Sequence, residues 1–355
     1  MLQIVGGGSV RTLDIALLND GRPGHYRCAE GVIASIDRLV PTRTLSHPLK
    51  LSPVFPGRLL SWVLAGSVSP ELVLKAAYGI EPSAIPRPDL IVSSGGRTLA
   101  ANVALARLTG APNIFFGSLR HFDPSDFALV LNSYTFDEPR PNQVRILKPC
   151  PGDPSGLPAP VLDNQGVPNV AGLLIGGPSG EARFEPHDWD RLIGLIRDTH
   201  QVLGVEWIVS NSRRTPICVS DRFAELAAEP AGPVKRYIDV RTTGPGTLGD
   251  LFAESSAVVV TADSSAMLSE AIWMQRPAIA LRPASMTLTV KEAEYRQWLE
   301  RQNYCRELSL SNVTADGFAS AFREITPLAA NPLTDLTSLL ADKLPFLLRE
   351  SRAAS

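Results

Sequence analysis

Five stretches of the chain set glycine, hydroxyl, guanidinium, imidazole or carboxylate groups directly behind an apolar run. They are NDGRPGH (19–25), SSGGRTLAA (93–101), GGPSGEARF (176–184), SNSRRTP (210–216) and TADSSAMLSEA (261–271). In the first, Gly21 and Gly24 permit a tight turn with close backbone approach, and His25 falls at a helix start. An imidazole titrates near neutrality, which makes His25 the general-base candidate; His47, His121, His187 and His200 stand in plainer contexts. In the second, Ser94, Gly95, Gly96 and Arg97 lead into a helix that should open at about Thr98. Backbone N–H groups at a helix start, with a guanidinium beside them, suit an anion, and a plain turn with a cap would use the same residues.

The third stretch packs Gly176, Gly177 and Gly180 around Ser179 in a compact turn. It matches neither the phosphate-binding G-x-x-x-x-G-K-[ST] nor the dinucleotide G-x-G-x-x-G, and the GGGS run at 6–9 precedes its strand instead of following it. Phosphate contact there is chemically reasonable but unspecific. In the fourth, Arg213 and Arg214 are adjacent at the carboxyl end of a strand, where two cations would meet a ligand phosphate. In the fifth, Thr261 closes a strand, Asp263 or Ser264 caps a helix, and the first-turn N–H groups near Ser264, Ser265 and Ala266 have no helical acceptor. An anion there gains about 0.3–1 kcal/mol per contact. Met267 and Glu270 follow on the same helix. A carboxylate does not serve a phosphate, but paired ribose hydroxyls would donate to Glu270, at roughly 1.5–3 kcal/mol each. The expectation is diphosphate at the helix start and ribose one to two turns on; a capped helix with a solvated glutamate is the plainer alternative.

These groups need a scaffold that gathers strand ends. The apolar runs TLDIALL (12–18), DLIVSS (89–94), NIFF (113–116) and FALVL (127–131) alternate with amphipathic stretches such as CAEGVIASIDRL (28–39) and TLAANVALARLTG (98–110). The same rhythm returns in AGLLIGG (171–177), EWIVSNS (206–212), AVVVT (257–261) and AIALR (278–282), with DWDRLIGLIRDTHQVLG (188–204) among the helices. Near-continuous apolar strands alternating with helices imply parallel sheets covered on both faces, whose ligands bind at the strands' carboxyl ends. Between the halves, KPCPGDPSGLPAP (148–160) carries five prolines and two glycines and reads as a connector. The expected organisation is α/β: a Rossmann-like domain over 1–150, a second over 151–330, parallel sheets facing a central cleft, and a closing helix over 331–355 packing back toward the first domain. The length, 355 residues, suits two domains.

Composition excludes several classes. A formal net charge of −2 supplies no general pull toward nucleic acid. Cys28, Cys150, Cys218 and Cys305 are scattered without a CxxC pair, which argues against a zinc site or a disulfide scaffold and fits a reducing cytoplasm. Asp188-Trp189-Asp190 falls inside a predicted helix and is expected as a solvated face, so no metal is expected. The N-terminus lacks the order of a signal peptide, and no apolar run reaches the ~18 residues of a membrane span. LSPVFPGRLLSWVLAGSVSPELVLKAAYGI (51–80) is nonetheless apolar. It reads either as core or as a segment whose Leu59, Leu60, Trp62, Val63 and Leu64 dip into a membrane interface with Arg58 at the head groups.

ADSSAMLSEA, with Pro277 leading the next strand, resembles the donor-binding motif of GT-B glycosyltransferases. It is most similar to the peptidoglycan N-acetylglucosaminyltransferases that make lipid II, whose glycine-rich loop ending in His also looks like GRPGH. The combination GGPSG, SNSRRTP and VVVTADSSAMLSEA is closer still to the mitochondrial fission (elongated-mitochondria) family of plants and its bacterial relatives, over most of residues 12–285. Two departures stand out: GPGTLGDLFAES (244–255) where relatives carry Asn-Pro-Tyr, and Met-Gln-Arg-Pro (274–277) in place of a glycine-containing turn.

The resemblance implies a GT-B fold and nucleotide-sugar binding without a bound cofactor. Gly177, Ser179, Arg213, Arg214, Thr261, Ser264, Ser265, Ala266, Met267 and Glu270 would then lie on the donor side. His25 would be the base, with Gly21, Gly24, Ser94, Gly95, Gly96 and Arg97 on the acceptor side. The expected activity is metal-independent transfer of a sugar from a nucleotide-diphosphate sugar to an envelope glycolipid, a lipid-linked acceptor at the inner face of the membrane. A non-catalytic membrane-associated scaffold and a nucleotide-sugar epimerase are the alternatives. Neither the sugar, the base, the acceptor nor the oligomeric state follows from the residues.

Overall fold

The structure, a computed structural model, describes residues 12–66, 68–164, 166–244 and 248–348. The GGGS run, Pro245–Thr247 of GPGTLGDLFAES and the end of the closing segment lie outside them. The chain divides into two units: Asp153–Asn331, and the residues up to Gly152 together with those from Pro332 onward.

In the first unit the order is β1 (Leu13–Asn19), α1 (Pro23–Asp37), β2 (Thr42–Pro48), α2 (Gly57–Ala65), α3 (Pro70–Tyr78), β3 (Leu90–Ser94), α4 (Leu99–Thr109), β4 (Asn113–Phe116), β5 (Leu129–Asn132) and β6 (Gln143–Arg145). The six strands form one parallel sheet in the order β2-β1-β3-β4-β5-β6. The four inner strands are the apolar runs, and β3, β4 and β5 are buried along their whole length. From β1 the chain steps outward to β2, then returns past β1 to β3. The strand order therefore reverses between β1 and β3, and at such a switch point the loops on either side part and leave a crevice.

The second unit runs β7 (Val170–Leu174), β8 (Ala182–Arg183), α5 (Pro186–Leu203), β9 (Glu206–Ser210), α6 (Ile217–Ala227), β10 (Val234–Ile238), α7 (Val240–Thr243), α8 (Leu248–Glu254), β11 (Ala257–Thr261), α9 (Ser265–Trp273), β12 (Ala278–Arg282), β13 (Ser285–Met286), α10 (Val290–Arg301), β14 (Cys305–Ser309) and α11 (Ala315–Arg323). Its parallel sheet is ordered β10-β9-β7-β11-β12-β14, with the switch point between β7 and β11. Val258, Val259 and Val260 of β11 are fully buried; each such side chain contributes about 1.5–3 kcal/mol, an upper figure for a fully extended unfolded chain. A last helix, α12 (Pro332–Lys343), packs in the first unit against α1, where the Thr337 hydroxyl donates to the Ser35 carbonyl (3.1 Å).

Three local findings revise the sequence reading. Asp188 and Trp189 are not a solvated face. Asp188 is buried at the first turn of α5, where its carboxylate accepts the Glu185 N–H in a capping box, and Trp189 stacks on Phe184 in the core. Only Asp190 is exposed. The 51–80 segment is neither all core nor all surface. Leu60 and Leu64, one turn apart on α2, are 2% and 1% exposed and pack with Val73, Leu74 and Ala77, so neither reaches an interface. Leu59 and Trp62 point outward, Trp62 at 74% exposure. Finally, Gln275 of the Met-Gln-Arg-Pro turn stands at φ +56°, with its amide donating to the Leu328, Ala329 and Ala330 carbonyls. Those bonds offset the cost of holding a side chain in the left-handed region.

Candidate functional site

Each unit gathers candidate residues at its switch point. In the second, Val260 pairs in register with Leu174, so the chain leaves β7 and β11 side by side. The Gly176 N–H donates to the Thr261 hydroxyl (2.7 Å) and the Gly177 N–H to the Asp263 carboxylate (3.2 Å). Neither glycine tolerates a side chain. A Cβ at Gly176 would lie 2.1 Å from Asp263 Oδ2, and one at Gly177 would lie 2.1 Å from the Arg214 carbonyl oxygen.

The loop after β9 closes the same corner. Thr215 Oγ1 donates to the carbonyl of Gly176 (2.6 Å), within reach also of that of Ile175, and Ser212 Oγ donates to Gly176 O (3.1 Å). Arg214 Nη1 reaches Gly177 O (3.0 Å), while its Nη2 meets Asp263 Oδ2 at 2.6 Å. Arg213 is exposed. Behind this loop, Asn211 donates to Asp239 and accepts the Val240 N–H. The Arg241 guanidinium, with Asn211, holds the Asp239 carboxyl down at about 2.

Ser264, not Asp263, caps α9, accepting the Met267 N–H (3.3 Å); Asp263 instead pairs with Arg214. Leu268, Ser269, Ala271, Ile272 and Trp273 are buried, and Ser265, Ala266, Met267 and Glu270 are partly exposed. At 100° per residue Ala266, Met267 and Glu270 share a face, and Glu270 stands about 9 Å along the axis from the cap. From below, Arg296 donates to the Ala262 carbonyl (2.6 Å) and the Tyr295 hydroxyl meets Ser269 (2.8 Å), fixing the height at which α9 starts. Ser179 is drawn into its own loop, accepting from the Glu181 and Ala182 N–H groups. Gly177, Arg213, Arg214, Thr261 and Ser264–Glu270 thus come together, and Ser179 spends its hydroxyl locally.

In the first unit Leu18 pairs in register with Ser93, so the loops after β1 and β3 leave together. Asp20 is the residue the sequence reading missed. Its side chain is fully buried, its Oδ1 accepts the Arg22 N–H (3.2 Å), and its Oδ2 meets His25 Nδ1 at 2.8 Å. A carboxylate at Nδ1 makes that nitrogen the donor and leaves Nε2 with its lone pair, as a general base requires. Its one signal in the sequence is an acid five positions before the histidine in one loop. Gly95, at φ +91°, lies under the ring: a Cβ there would sit 2.2 Å from His25 Nδ1.

Beside it Gly96 faces the Arg120 guanidinium, which a Cβ would approach to 2.5 Å. Arg120 is exposed, stands at φ +57°, and follows β4 with no motif to announce it. The Tyr78 hydroxyl donates to the Arg97 carbonyl (2.9 Å), and burial raises the Tyr78 phenol well above its usual value, so it stays a neutral donor. Thr98 bonds back to the Ser94 and Gly95 carbonyls. Ser94, Gly95, Gly96 and His25 therefore meet; Gly21 and Gly24 shape the loop from its exposed side, and the Arg97 side chain is exposed.

Among the described residues no group of three or more His, Cys, Asp or Glu is placed to hold a metal, and no helix is long and apolar enough to cross a membrane. No curated protein matches the chain. Among solved structures, the glycosyltransferase SnogD from Streptomyces nogalater superposes at TM-score 0.51 with 12% identity, covering 95% of this chain and 96% of that one. S. aureus MnaA, in its co-structure with UDP, superposes at TM-score 0.50 with 11% identity over 97% and 99%. At such identities the likeness shows the fold, which is GT-B-like. The model of the mitochondrial fission ELM1 family matches residues 159–336, half of the chain, and the chain belongs to that family.

Proposed function

We propose that the protein binds a nucleotide-diphosphate sugar in its second unit and transfers the sugar to an acceptor hydroxyl. One observation carries this reading: at the switch point of the second sheet, the start of α9 and the Arg213–Arg214 loop converge one and two-thirds turns before Glu270. That arrangement offers positive potential to a diphosphate and a carboxylate to the ribose hydroxyls. In the reaction the acceptor O–H gives its proton to His25 Nε2, and its oxygen bonds to the anomeric carbon. The bond from that carbon to the diphosphate oxygen breaks, and the electron pair leaves with the diphosphate. Arg213, Arg214 and the α9 first turn meet the charge that develops there. Asp20 keeps the histidine in the basic tautomer and stabilises the imidazolium.

Exposed Leu59 and Trp62 on α2, with Val54 and Leu72 near them in the chain, support an acceptor presented at a lipid surface, approached from the cytoplasm. Incubation with a panel of nucleotide sugars, with and without a membrane lipid extract, tests the proposal. Acceptor-dependent release of nucleoside diphosphate, abolished by His25→Ala, is the expected result. An isomerised nucleotide sugar without acceptor would mark an epimerase. Binding of no nucleotide sugar, or binding without turnover, would leave the scaffold reading.

A further inference from the structure

Asp263 is an odd residue to find in an anion-binding corner. Its side chain is fully buried. One oxygen takes both the Arg214 guanidinium (2.6 Å) and the Gly177 N–H (3.2 Å), while among the described residues the other, Oδ1, is buried with no hydrogen-bond partner. The residue directly precedes the cap of α9. A carboxylate thus holds two of the donors that a diphosphate at this helix start would need, Arg214 and Gly177 N–H. A clamp alone does not call for this arrangement. The Gly177 carbonyl oxygen already holds Arg214 from one side (3.0 Å), a neutral amide would accept the same two bonds, and a buried ionised oxygen left unsatisfied carries a cost.

We propose that Asp263 is a resident anion of the diphosphate cradle: it holds Arg214 in the empty site, gives the arginine up to an incoming diphosphate, and repels that diphosphate once bound. This rests on the diphosphate reading above and adds to it a specific consequence. The site is built to bind its ligand less tightly than its donors allow, and the retained charge favours release of the product diphosphate. Asp263 acts by positioning Arg214 and by the charge it keeps beside the ligand.

Inorganic pyrophosphate is the probe, because it needs neither the right base nor the right sugar. Calorimetric titration at fixed pH and ionic strength compares wild type, Asp263→Asn, Asp263→Ser, Arg214→Ala and Arg213→Ala. Removing one charge that acts over a few ångströms at a partly exposed site should tighten pyrophosphate binding by about tenfold or more in Asp263→Asn. Asp263→Ser should tighten it in the same direction and serves if the asparagine variant does not fold. Arg214→Ala should weaken it. Neutral uridine should bind wild type and Asp263→Asn alike. A purely structural role could only loosen Arg214 and lower affinity. Equal or weaker pyrophosphate binding by folded Asp263→Asn, in a protein whose wild type binds and whose Arg213→Ala variant loses affinity, overturns the role of Asp263 alone. Absence of pyrophosphate binding in all five proteins overturns the diphosphate reading with it.

Discussion

Replacing Gly95 with alanine tests the unit-one geometry most directly, because two separable costs are visible there. Gly95 sits at φ +91°, and a left-handed alanine costs about 1–2 kcal/mol. The new Cβ would also stand 2.2 Å from His25 Nδ1, 2.8 Å from Cγ and 2.9 Å from Cε1, well inside the 3.4 Å of ordinary contact. The ring must move by more than about 1 Å, which breaks its 2.8 Å bond to the buried Asp20 carboxylate. A hydrogen bond to a charged group is worth about 1.5–3 kcal/mol, so Gly95→Ala should destabilise the protein by roughly 2.5–5 kcal/mol. In a His25→Ala background the steric term vanishes and only the backbone cost, about 1–2 kcal/mol, should remain. Urea unfolding of the wild type, both single variants and the double variant gives the coupling energy, expected near 1.5–3 kcal/mol. Destabilisation by Gly95→Ala that is the same in both backgrounds, within about 0.5 kcal/mol, would refute the contact between Gly95 and His25 as the reason for glycine.

Glu270→Ala should weaken nucleoside diphosphate binding by ~1.5–3 kcal/mol, roughly 10- to 150-fold, and leave pyrophosphate binding unchanged; equal loss for both ligands would remove ribose from Glu270. Asp239 has its folded pKa depressed to about 2 from 3.8, first by the Arg241 hydrogen bond, so its contribution is present above pH 4 and lost as pH falls from about 4 toward 2. The stability difference between wild type and Asp239→Asn should therefore shrink over that window in acid titrations of unfolding, and a constant difference would contradict the depressed value. For the lipid surface, Leu59→Ser with Trp62→Ser should abolish co-sedimentation with anionic vesicles without loss of fold, since both side chains face outward; Leu60 lies in the core and its replacement would confuse the two effects. Negligible sedimentation of the wild type would favour a soluble acceptor.

The eight strands that the apolar runs announce are the inner four of each sheet. In these two six-stranded sheets the strands that went unread, β2, β6, β10 and β14, are the four edges; the two-residue β8 and β13, which pair with each other, went unread as well. An inner strand of a parallel sheet is covered on both faces and both sides, so nearly every residue must be apolar and the run is continuous. An edge strand keeps one side in water. Thr42–Pro48 is exposed or half-exposed throughout, and Cys305–Ser309 has only its first residue buried. Neither carries a period that separates it from a polar loop. Of the helices, α5 buries a stripe through Trp189, Leu192, Leu195, Ile196 and Thr199 that the helical period displays, while α4 buries every residue from Leu99 to Leu105. Periodicity could not place the buried Asp188 of the capping box inside α5, since its burial depends on the turn before it.

The candidate loops were readable and their partners were not, for a physical reason that differs from the strands. Glycine beside a strand end reads as a turn because most such glycines need only backbone freedom. At Gly176 and Gly177 the requirement is space, and at Gly95 it is space as well as the positive φ; the space is occupied by Asp263, the Arg214 backbone and His25, while Gly96 faces the Arg120 guanidinium. Each of these partners lies on a different strand connection from its glycine. They meet because β1 abuts β3 and β7 abuts β11 in register, with β4 next along and β9 on the far side of β7. Strand order is invisible to a pattern of apolar residues, since an inner strand looks the same whichever inner strand it pairs with. Chemistry at a switch point is therefore specified twice, by residue types that the chain displays locally and by an adjacency that only the folded sheet supplies.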